Sequence, residues 1–76
     1  MSRMTTIVSI SWAGGEATAL APGHGKSPTD PIVISEVSEC LCYNRTEVVT
    51  SVDGDEVSYP MAMSPAMDSV AGGEMS

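Results

Sequence analysis

Between Pro31 and Met63 the chain reads PIVISEVSECLCYNRTEVVTSVDGDEVSYPMAM, a run dominated by Val, Ile, Thr, Tyr and Cys. That is strand composition. Within it, Thr46 to Val52 and Glu56 to Met63 flank Asp53-Gly54-Asp55. An Asp-Gly pair between β-branched runs predicts a hairpin, because Gly reaches the left-handed backbone a tight turn needs. Pro60 lies in the second arm and has no N–H to donate, so the arm sits at a sheet edge or stops pairing there.

Upstream, residues 4–12 (MTTIVSISW) alternate imperfectly, with Val8, Ile10 and Trp12 on one face and Ser9 and Ser11 on the other. The pattern predicts a half-buried strand, ended by a turn at Ala13-Gly14-Gly15. Glu16 to Ala21 reads at most as one helical turn, too short to nucleate a helix unaided. Residues 22–31, PGHGKSPTDP, hold three Pro and two Gly. They predict a long loop of the kind that is often functional or lies on another chain. Residues 32–43 alternate in two rows. Ile32, Ile34, Glu36, Ser38, Cys40 and Cys42 form one, and Val33, Ser35, Val37, Glu39, Leu41 and Tyr43 the other. Neither row is apolar throughout, so a bend near Ser35–Glu39, or a bulge between two strands, is expected. Asn44-Arg45 makes a plausible turn. From Ser64 to Ser76 no period is visible.

The expected fold is therefore mostly β: a small antiparallel meander or hairpin sheet of three to five strands with a long Pro/Gly loop. Residues 1–63 form the β domain and 64–76 an extended C-terminal arm that neighbours hold down.

Composition sharpens this picture. Four Ile, eight Val, two Leu and no Phe make 14 of 76 residues, a thin core for a short chain. Small chains so placed usually gain a disulfide, a metal or a partner subunit. The formal charge of −7 and the three basic residues leave no basic stripe for nucleic acid and no basic face for anionic lipid. No apolar run approaches the ~20 residues of a membrane span. Ile7 to Trp12 is too short and too interrupted by Ser for a signal peptide, so the expected chain is made in the cytoplasm without export and folds in a reducing compartment, the state of its thiols left open.

Candidate chemistry is sparse. Gly23-His24-Gly25-Lys26-Ser27 ends like a phosphate-binding loop, but Leu20 stands where the first Gly belongs. Pro28 and Pro31 follow where a helix would be needed. Cys40 and Cys42 lie two apart on an expected strand, where a direct bridge spans too far. They read first as small packing residues, and only weakly, with His24, as metal ligands or a redox pair. Asp53, Asp55 and Glu56 gather at the hairpin tip without the spacing of a calcium loop. Asn44-Arg45-Thr46 fits a glycosylation acceptor pattern of the kind that arises by chance. His24, the sole His, has no evident catalytic companion, so no catalytic residue, cofactor or small-molecule substrate is assigned.

Tyr59, Met61, Met63, Met67 and Met75 make the C-terminal third rich in adaptable apolar side chains, and these are the candidate partner contacts. The leading expectation is a non-enzymatic structural or interaction subunit of a larger protein assembly or homo-oligomer. A virion decoration, cement or adaptor protein is one setting that fits its size. One alternative is a small acidic regulator that occupies a basic, nucleic-acid-binding site. Another is a Cys-x-Cys metal or redox module.

Overall fold

The computed structural model describes residues 4–76; residues 1–3, the start of the expected β domain, lie outside the described residues. Among the described residues nine short strands form two antiparallel sheets. They are β1 (Thr5–Thr6), β2 (Ser9–Ala13), β3 (Glu16–Leu20), β4 (Pro31–Ser35), β5 (Thr46–Val48), β6 (Ser51–Asp53), β7 (Glu56–Pro60), β8 (Ser69–Ala71) and β9 (Glu74–Met75). A 3-10 turn at Leu41–Tyr43 interrupts the β4–β5 connection. One sheet runs β1-β9-β4-β5, the other β6-β7-β3-β2-β8. The mostly β class expected from composition is what the chain adopts.

Three stretches cross between the sheets. Thr5 faces Met75 and Thr6 faces Glu74 in the first sheet, while Ser9 to Ser11 face Ala71 to Ser69 in the second. Between them Ile7 N–H donates to the Gly73 carbonyl and Gly72 N–H to the Val8 carbonyl, at 2.9 and 3.2 Å. One register therefore runs the full length, and β1–β2 with β8–β9 is a single bent ribbon. Likewise β5, paired with β4, continues through Val49 and Thr50 into β6, paired with β7. Followed round, the pairings close: β1–β2 on β8–β9, then β4, β5–β6, β7, β3 and back to β2. Such closure consumes the long free edges on which open sheets aggregate.

Tight turns follow their glycines. Ala13 pairs with Glu16 across Gly14-Gly15, and Asp53 with Glu56 across Gly54-Asp55, as the Asp-Gly signal predicts. Gly14, Gly15 and Gly54 have φ of 58, 85 and 60°, which L side chains resist. β7 loses its β6 neighbour after Ser58 and ends at Pro60, matching the proline's missing donor.

The core sits between the sheets. In the second sheet Val70, Ile10, Ala19, Val57 and Val52 lie opposite one another in one row, and Trp12, Ala17 and Tyr59 in the next. Small Ala alternates with large neighbours, as in narrow barrels where bulky side chains from every strand will not fit. From the first sheet Ile32, Ile34 and Met75 join them, and Val37, Tyr43, Val49 and Met61 close the ends.

Three expectations need correction. Glu16–Ala21 is no helical turn: Glu16–Leu20 is a five-residue strand, central in its sheet. The bend expected near Ser35–Glu39 forms, with Glu36 at φ of 62°, but no strand follows it: β4 ends at Ser35, and 36–43 is a loop with a 3-10 turn. Nor are residues 64–76 an extended arm. β8 pairs with β2, β9 lies between β1 and β4, and Ser76 and Val33 exchange two backbone bonds of 3.0 Å. The chain's own strands supply the restraint expected of neighbours.

Candidate functional site

The two ends of the molecule differ. β7 runs from the Gly54 turn at one end to Met61 at the other, so whatever touches those points can be placed.

At the Gly54 end lies the Pro/Gly loop. His24 Nδ1 accepts the Lys26 backbone N–H at 2.8 Å, so Nε2 carries the proton and donates to the Gly54 carbonyl at 2.9 Å. Nδ1 thus fixes the ring within its own loop, and Nε2 ties that loop to the hairpin tip. Ala21 N–H donates to the Asp55 carbonyl, Thr29 N–H to the Val49 carbonyl and Val49 N–H to the Asp30 carbonyl. Ser27 N–H meets the Asp30 carboxylate, and no helix follows Lys26-Ser27. Asp53, Asp55 and Glu56 are exposed at the tip. Among the described residues no three His, Cys, Asp or Glu side chains gather where an ion would sit.

At the other end the 61–68 loop meets the Gly14-Gly15 turn and is joined to the 36–45 loop. Their backbone has few partners of its own, so side chains supply them. Trp12 Nε1 donates to the Met61 carbonyl at 2.7 Å, and Met61 N–H to the Gly15 carbonyl at 2.9 Å. Tyr43 Oη donates to the Met67 carbonyl at 2.6 Å, which binds the two loops together. Asn44 closes the base of the 36–45 loop, its Oδ1 accepting from Val37 N–H and its Nδ2 donating to the Val37 carbonyl. The Glu39 carboxylate accepts the Ala71 N–H at 2.9 Å.

At the top of this framework Cys40 and Cys42 are joined in a disulfide with Cα atoms 5.3 Å apart. This corrects the reading of two unbridged thiols. It rested on strand spacing, whereas the 3-10 turn from Leu41 draws the two Cα atoms within bridging range. The sulfurs are consumed, and His24 lies at the opposite end, so the three weak metal candidates are not brought together. By the chain-entropy relation a ring this small removes roughly 1.5 kcal/mol of freedom from the unfolded chain, about half the value for a fifteen-residue loop.

Large apolar side chains project around the disulfide end. Leu41 is 73% exposed, Met63 79% and Met67 41%. A second exposed set, Val33 with Val48 and Pro31, lies on β4 and β5, where Pro31 pairs with Val48. Of the candidate partner contacts, Tyr59, Met61 and Met75 are buried in the chain's own core, so their side chains are closed to a partner in this fold; Met63 and Met67 remain on the surface. Leu41 escaped notice because strand alternation puts it in one row with Tyr43, which is buried, whereas the 3-10 turn separates the two.

Burial also sets the phenols. Tyr59 is pushed far up, first by desolvation and then by Tyr43, with Glu47 adding to the shift and Arg45 opposing it. Tyr43 is raised by desolvation and by the nearby Asp68 charge. Among the described residues no helix is long and apolar enough to cross a membrane. Comparison with known proteins found no matching family model, no similar curated protein and no similar solved structure.

Proposed function

We propose that the chain is a non-enzymatic structural or interaction subunit that docks by its disulfide-capped end, against copies of itself or other chains of an assembly. A virion decoration, cement or adaptor protein remains the setting its size and composition suggest. The observation that carries the reading is the display of Leu41 and Met63, each more than two thirds exposed, on two loops fastened to one another by the Tyr43–Met67 bond. Apolar side chains held out on a fixed framework favour contact with another surface, because burying each one there is worth roughly 1.5–3 kcal/mol.

Sedimentation of the full chain tests this. The wild type should associate with rising concentration, and the Leu41→Ser, Met63→Ser double variant should shift that association at least about tenfold towards monomer while melting at the same temperature. A wild type that stays monomeric over about a hundredfold range, indistinguishable from the variant, argues against self-docking. If photo-crosslinkers at 41 and 63 in the native source then give no more adduct than one at Asp53, the reading fails for other partners too.

A further inference from the structure

We propose that Cys40–Cys42 is a thiol–disulfide exchange site for a thiol or dithiol protein partner, rather than a staple of the fold. The ring encloses Leu41 alone, so it joins no two parts of the molecule that are distant in sequence. The side-chain hydrogen bonds that hold this loop lie outside the bridge: the Asn44–Val37 pair closes its base, and the Glu39–Ala71 and Tyr43–Met67 bonds fasten it to other segments. Opening the bridge leaves those in place. It also leaves the bonds of the turn itself, from Tyr43 N–H to the Cys40 carbonyl and from Asn44 N–H to the Leu41 carbonyl. The two thiols then stay within a few ångströms of one another, so re-closure is intramolecular and fast.

The two sulfurs are not equivalent. Cys42 is exposed, whereas Cys40 is half-buried and packs against the core. An incoming thiolate reaches Sγ of Cys42 and forms a mixed disulfide there. The S–S bond breaks towards Cys40, whose Sγ leaves as thiolate and takes a proton from water. A second thiol of a dithiol partner then attacks the partner's own sulfur in the mixed disulfide and releases Cys42. The sum is two electrons and two protons passed from dithiol to protein disulfide, with the partner left oxidised. In reverse, the reduced site takes a disulfide from an oxidised partner, which leaves as the dithiol. Leu41, held out between the two cysteines, offers such a partner an apolar contact beside the sulfur to be attacked.

The site stands independently of any assembly role, and its test needs none. Air-oxidised full chain is treated with dithiothreitol without denaturant, and its thiols are counted by alkylation and mass spectrometry. Glutathione is used in parallel, with acid quenching to map the mixed disulfide. The expected result is complete reduction of the folded protein, an unchanged β circular dichroism spectrum and a melting midpoint lowered by no more than about 10 °C. The glutathione adduct should fall on Cys42 over Cys40 by at least about tenfold. Absence of the bridge after air oxidation, reduction only in denaturant, loss of the fold on reduction, or an adduct shared equally with Cys40 would each overturn the assignment.

Discussion

Two tyrosines with similar burial have opposite roles. Tyr43 Oη donates to the Met67 carbonyl, whereas Tyr59 Oη is buried with no partner among the described residues. A buried hydroxyl that makes no bond carries a desolvation cost without return. Tyr59→Phe should therefore leave stability unchanged or raise it by up to about 1 kcal/mol, while Tyr43→Phe should cost about 1 kcal/mol and loosen the 61–68 loop, as read from thermal melts. Alkali separates them further. Both phenols are raised in the folded chain, so the folded state keeps protons that the unfolded state releases above its ordinary phenol range near 10. Their contribution is fully present below about pH 10 and is lost as pH rises, so the melting midpoint should fall steeply there. Tyr59→Phe should flatten that fall, and an equally steep one in the variant would show that the phenol is not the cause.

Among the elements, the bent ribbon of β1–β2 and β8–β9 has the strictest demand on sequence. Gly73 has φ of 108°, and a Cβ there would lie 2.6 Å from Val37 Cγ2 and 3.3 Å from the Ser35 carbonyl. Gly14, at φ of 58°, has nothing within 4 Å. Gly73→Ala should therefore cost about 3 kcal/mol or more, against roughly 1 kcal/mol for Gly14→Ala, a contrast that chemical denaturation resolves. Hairpin β6–β7 was legible in the sequence because Asp53-Gly54 is a local signal, as were the Gly14-Gly15 turn and the bend after Ser35. β3 was not legible, since Glu, Ala and Leu are helix formers by propensity. Their alternation of Ala17 and Ala19 inward is explained only by the bulk of Tyr59, Val57, Trp12 and Ile10 opposite. β8 and β9 were hidden for a related reason. Their three-residue and two-residue lengths carry no period, and their partners, β2 for one and β1 and β4 for the other, all lie far back along the chain. The disulfide was missed because a strand was assumed where a 3-10 turn forms, and with it the exposed Leu41 that now anchors the proposed surface.

At the scale of the whole molecule, closure changes what the thin core has to do. Six staves that bond on both sides leave few backbone groups to satisfy, and the C-terminal residues complete the circuit instead of awaiting a partner. The apolar side chains left outside, Leu41 and Met63 foremost, are then available for association. Native-state hydrogen exchange on the full chain tests this most directly. The amides of Gly72 and Ser76, which donate to the Val8 and Val33 carbonyls, should be protected to nearly the same extent as those of Ala17 and Val57 in the middle of the second sheet. Exchange of Gly72 and Ser76 at the rate of an unstructured peptide, with β3 and β7 still protected, would contradict a barrel closed by its own tail.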